Sequence, residues 1–178
     1  MRSANLARAL ILSLALPGLA AARGPSTPAE RKKAVEVTRR LERYPLGPNA
    51  NADRMWLLKW IVDIPDINVR GCSGPLDVLV QDNGGRYGKQ LYAQSMFGMT
   101  AFMIEHPQSK DDWVAVQTAG VESTLRAYQA LLTAEPDARW EELDSLLEAR
   151  RDGKLKDLVE QTMEGCGDER PPGPGDAI

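Results

Sequence analysis

Histidine occurs once in the 178 residues, at His106, and cysteine twice, at Cys72 and Cys166. That scarcity excludes much site chemistry. A structural zinc site takes four Cys or His ligands, or a clear array of carboxylates, and the chain offers neither. His-Glu-x-x-His is absent, and so is the acidic loop that holds calcium. A Ser-His-Asp or Cys-His device would have to use His106, which precedes Pro107 at a predicted helix end, where an imidazolium favours the dipole. Gly71-Cys72-Ser73-Gly74 lacks the spacing and the strand-to-helix setting of a nucleophile turn. Glycine-rich phosphate loops are missing, which leaves nucleotide binding without support. No Asn-x-Ser/Thr triplet occurs.

Long apolar runs are missing too, except at the start. Arg2 and Arg8 precede Ala9 to Leu16, an apolar stretch too short to cross a bilayer. Pro17-Gly18 breaks it, and Ala20-Ala21-Ala22 supplies small residues for cleavage. Residues 1–22 therefore read as a signal peptide cut after Ala22, which predicts a secreted or periplasmic protein. No Cys at the cut offers a lipid anchor, and no second run suggests a membrane span. The formal net charge is −3, and losing Arg2 and Arg8 makes it more acidic, so nothing draws the chain to nucleic acid. In an oxidising compartment an even pair of cysteines reads as a disulfide, Cys72–Cys166, with glycines beside each to let the backbone bend.

What remains is helical periodicity. Thr27-Pro28-Ala29-Glu30 is a capping box with proline at the first helical position, and Ala34, Val37, Leu41 and Tyr44 follow on one face of a helix over 28–43. A second helix is expected over 51–63, capped by Asn49 or Asn51; its run from Met55 to Val62 is apolar on most sides, which predicts burial against several neighbours. Residues 64–88 are irregular, with a hint of extended chain at Ile67 and Val69. Helices over 89–105, 110–134, 138–150 and 154–163 complete the pattern, separated by Pro107, Pro136 and Gly153. Ser109-Lys110-Asp111-Asp112 reads as the cap of the fourth, and Asp137 as the cap of the fifth. Gly98 in the central helix would let a neighbour approach closely. The expectation is an all-α single-domain bundle of about six antiparallel-packed helices over 23–167, with a disordered tail at 168–178.

Four further patterns bear on function. Met96, Met99, Met103 and His106 fall on one helical face, a possible Cu(I) set, though methionine more often fills a core. Glu141, Glu142, Asp144, Glu148 and Asp152 supply carboxylates for glycosidase-type chemistry, but interleaved Arg150, Arg151 and Lys154 explain them as surface ion pairs. Trp56, Trp60, Trp113 and Trp140 read as core and helix-junction packing before a ligand platform. Thr124 to Pro136 resembles the second helix of a tetratricopeptide repeat, with Tyr128 and Pro136 at fitting separation. Thr124 and Leu131 stand where that repeat carries alanine, and no second copy follows at a period near ~34, so the resemblance implies paired helices and not membership of the family.

No catalytic residue, metal ligand or cofactor emerges. The expected function is a protein-interaction or scaffolding module for a protein or envelope component, with Arg86 and Tyr87 as the interaction loop. The alternatives are a small-molecule or Cu(I) carrier using a groove beside the Met-rich helix, and a carboxylate-based hydrolase of envelope polymers.

Overall fold

A computed structural model describes residues 23–71, 74–80 and 85–163. Among these the regular structure is entirely helical: α1 (Pro28–Arg43), α2 (Ala50–Asp63), α3 (Gly88–Glu105), α4 (Trp113–Ala134), α5 (Glu141–Arg151) and α6 (Leu155–Thr162). None of these helices is long and apolar enough to cross a membrane. The expected signal segment, both cysteines, Asp82 to Gly84 and the predicted tail lie outside the described residues.

α3 and α4 form the spine, with the most extensive contact in the fold. Thr124 donates to the Leu91 carbonyl near the start of α3, and Met103 near its end packs with Val116. Rising numbers on one helix meet falling numbers on the other, so the two run antiparallel. Two glycines set their separation. A Cβ on Gly98 would stand 2.3 Å from Ser123 Cβ, and one on Gly120 would stand 2.8 Å from Met99 Cγ. The backbones thus approach more closely than side chains would allow.

One side of this spine is covered by α1 and α2 through Val37, Leu41, Leu57, Trp60 and Phe97. The other is covered by α5 and α6, where Leu143, Leu146, Leu155 and Val159 close over Leu125 and Tyr128. The chain from Arg23 to Ser26 is tied to the fold before α1 begins. Ser26 is buried and donates from both its backbone N–H and its hydroxyl to the Asp66 carboxylate, each at 2.7 Å. Arg31 bonds the same pair. Burial pushes the Asp66 carboxyl up, but these donors outweigh it and hold it below the usual range.

Several boundaries differ from the sequence expectation. α4 begins at Trp113, because Asp112 and not Ser109 supplies the cap, accepting from Ala115 N–H at 3.1 Å. Pro107–Ser109 forms a separate 3-10 turn. α5 begins at Glu141, with Asp137 spent in another 3-10 turn, Pro136–Ala138. No side chain caps α2; the turn Gly47–Ala50 leads into it through backbone bonds alone. Residues 67–70 form no strand, and Asp77–Leu79 is a 3-10 turn. The largest correction concerns α2, which is peripheral. Leu57 and Trp60 are buried, yet Met55 is 66% and Val62 83% exposed, since among the described residues this helix packs mainly against α1 and α3 on one side.

Candidate functional site

Arg86 and Tyr87 lie on the wall of an open groove of about 420 Å³, where the start of α3 faces the α4–α5 connection. Tyr128 builds that connection. Its ring is fully buried, and its hydroxyl accepts the Trp140 backbone N–H at 2.7 Å. The same hydroxyl can donate to the Trp140 carbonyl at 3.2 Å or to Asp144 Oδ1 at 3.1 Å. Burial, with Asp144 beside it, raises the Tyr128 hydroxyl above its ordinary value, keeping the donor protonated. Trp140 is therefore held by its backbone, and its half-buried indole is free to line the groove.

The opposite wall depends on Gly88. A Cβ there would lie 2.5 Å from the Leu79 carbonyl oxygen and 3.6 Å from the Trp140 ring, so glycine lets the 3-10 turn and the indole close on the α3 start. Leu91 and Leu131 line the groove between the walls. Arg86 sits 5.1 Å from the centre of the Tyr87 ring and reaches Glu135 at 3.3 Å. Arg139, across the groove, pairs with Asp144 at 3.3 Å. A smaller cleft shares Tyr87, Leu91 and Leu131 and extends to Leu46 and Arg54. The Arg54 Nε is buried without a partner, and burial lowers the basicity of this guanidinium.

The structure thus brings the sequence-predicted Arg86 and Tyr87 together with Leu91, Leu131 and Trp140, the last of which the sequence reads as helix-junction packing. The tryptophans divide. Trp60 is core and stacks on Trp56 at 5.8 Å, whereas Trp113 and Trp140 each line an open groove.

The residue sequence reasoning missed is Glu42. Only 5% exposed, it accepts two bonds from Arg126 (2.9 and 2.8 Å), one from Ser123 (2.7 Å) and one from Arg39 (2.8 Å). Gln94 extends the chain, donating to Ser123 Oγ at 3.0 Å. These bonds tie α1, α3 and α4 together. Three of the four bonds converge on Oε1 and one on Oε2, and two guanidinium groups balance the charge, so the carboxylate is built to hold helices and not to move protons.

The other candidates are engaged in packing, where Met96 joins Met99 and Met103, or in ion pairs, or stand exposed at the surface. Met99 and Met103 are buried, packed with Val116, while the exposed His106 places its ring 4.7 Å from Phe102. Glu141, Glu142, Glu148 and Asp152 are exposed, and Asp144 is engaged by Tyr128 and Arg139. Among the described residues no three His, Cys, Asp or Glu side chains are grouped to hold a metal ion. Comparison with protein-family models, with characterised proteins and with solved structures finds no match to this chain.

Proposed function

We propose that this chain is an exported helical binding module that takes a segment of another protein into the Tyr87–Trp140 groove. The observation that carries the reading is the pairing of two aromatic walls, drawn from distant parts of the chain, around an apolar floor of Leu91 and Leu131. Aromatic and arginine side chains at the centre of a concave patch are the residues that most often anchor a protein partner. The fixed backbone of Trp140 reduces the ordering cost of binding. A hydrolase has less support, because Glu42 is the one buried carboxylate among the described residues and its charge is fully engaged.

Arg86 is exposed and Tyr87 half-buried, so replacing both by alanine should leave the helical circular dichroism intact. In a quantitative pull-down from the native envelope, Arg86→Ala/Tyr87→Ala should lose about tenfold or more of a partner that the wild type retains. Lys156→Ala, an exposed residue of α6, should retain it. Equal capture by the double variant and the wild type would remove the groove from the proposal.

Export carries a second expectation, the Cys72–Cys166 bridge. Protein purified without reductant should show no free thiol under denaturing conditions, and both should appear after reduction. Two reactive thiols before reduction would contradict the bridge.

A further inference from the structure

A second concave site lies beside the C-terminal half of α3. It is an open groove of about 500 Å³, between that helix, the segment after α2 and the entrance to α4. Ile67, Met103, Ile104 and Trp113 supply its apolar lining, and Arg31, Arg70 and Lys110 bring cations to it. The volume falls within the usual range of small-molecule sites.

Two of the cations are fixed in place. Arg31 is held by Ser26 Oγ and Asp66, each at 2.8 Å. Arg70 has its carbonyl bound by the Gln117 amide at 2.9 Å, and its guanidinium lies 5.1 Å from the centre of the Trp113 ring. That contact fixes a face of the guanidinium and leaves N–H groups at its edge. Among the described residues Arg70 has no carboxylate partner, whereas Asp66 is engaged by Arg31 and Ser26. Lys110 and Asp111 are exposed and offset one another in charge. The balance is one uncompensated guanidinium beside an apolar wall.

From this geometry we infer a binding site for an apolar monocarboxylate, a small free acid whose carboxylate meets the edge of Arg70 and whose body covers Ile67, Met103 and Trp113. One uncompensated cation matches one negative charge. The planar guanidinium fork matches a carboxylate in two-point contact. The apolar lining would be left wet by a bare inorganic anion. This site is independent of the Tyr87–Trp140 groove and does not rest on the function proposed there.

Calorimetric titration of the full chain with octanoate and with indole-3-propionate tests the inference. Both acids should bind with Kd in the micromolar to low-millimolar range, and octanol and inorganic phosphate should bind at least tenfold more weakly. Arg70→Gln should weaken the acids about tenfold or more, with Arg70→Lys in between, because a lysine keeps the charge and loses the fork. Ile67→Glu, placing a carboxylate beside Arg70, should abolish binding by occupying the guanidinium that the acid needs. A short apolar peptide with a free C-terminal carboxylate, compared with its amidated form, separates a chain terminus from a free acid as the source. Three results would overturn the inference: no heat with either acid at millimolar concentration, equal binding of octanol and octanoate, or binding of the free-terminus peptide alone. If Arg70→Gln fails to fold, the Ile67→Glu arm and the octanol comparison still decide.

Discussion

Glu42→Ala is expected to lower the free energy of unfolding by about 3 kcal/mol, the lower end of the range for breaking a buried ion pair by removing one partner. The low end applies because the Arg126 side chain is 39% exposed and can recover water, while Glu42 itself is almost sealed. What remains behind matters more than what is lost. Ser123 and Gln94, both buried, lose the acceptor at the end of their chain, and two guanidinium groups are left facing each other. At roughly 2–4 °C per kcal/mol for a chain of this size, thermal unfolding should shift by about 6–12 °C. Glu42→Gln keeps the volume and one acceptor and should lose less. The charge has its own signature. Burial raises the Glu42 carboxyl, but hydrogen bonds from Arg126 and Ser123, with the charges of Arg126 and Arg39, outweigh it and hold it below the ordinary range. A carboxyl depressed on folding stabilises the protein fully above its unfolded value, and that stabilisation fades as the pH falls through the folded one. The gap in urea midpoint between wild type and Glu42→Gln should therefore stay constant from pH 7 and close from about pH 5 downward. A gap that persists unchanged to pH 3 would show that packing, not charge, is what Glu42 contributes.

Glu42 also marks where the sequence ceased to be legible. Val37, Thr38, Leu41 and Glu42 are all buried in α1, so the acid lies on the edge of the apolar stripe. An acid in that register is a signal of a buried ion pair, but Arg39 three residues before it invites a surface reading. The cap of α1 was legible because its chemistry is local: Thr27 and Glu30 satisfy each other's backbone donors within one turn. The start of α4 was ambiguous for the same local reason, since Ser109 and Asp112 both precede helix-compatible residues and only the turn at Pro107–Ser109 decides between them. Composition misled at α2, where an apolar circumference does not say how many neighbours exist to cover it; Val62 is left bare. A groove beside the Met-rich helix was among the expectations, but the residues that build the two grooves were out of reach. Tyr87 meets Trp140, and Arg31 shares a groove with Arg70 and Trp113, across separations that only tertiary packing closes. The sequence flagged Arg86 and Tyr87 as loop residues suited to contact, without the partners that turn a loop into a groove.

Gly98→Ala should destabilise the protein by about 2 kcal/mol, and the sign of the effect is the informative part. In a helix without close neighbours alanine would be favoured over glycine by about 1 kcal/mol. At Gly98 the added methyl would fall 2.3 Å from Ser123 Cβ, 2.8 Å from Ser123 Oγ and 2.9 Å from the Ala119 carbonyl oxygen. Neither a Cβ nor a backbone carbonyl can rotate away, so α3 and α4 must separate along their closest contact. Overpacking of this kind costs roughly 1–3 kcal/mol, and a contact this short belongs at or beyond the top of that range. Separation also pulls Ser123 from Glu42, which couples the glycine to the buried ion pair. A double-mutant cycle isolates the cause. Ser123→Gly alone loses two hydrogen bonds and should itself destabilise. Combined with Gly98→Ala it removes the 2.3 Å contact, leaving only the carbonyl approach. The double variant should therefore be more stable than the two single losses added together, by about 1 kcal/mol or more. Strict additivity, or a stabilising Gly98→Ala, would mean that the two helices stand further apart than the glycine implies. The close approach that lets Ser123 reach both Glu42 and Gln94 would then be lost as an explanation for how α1 is held to the spine.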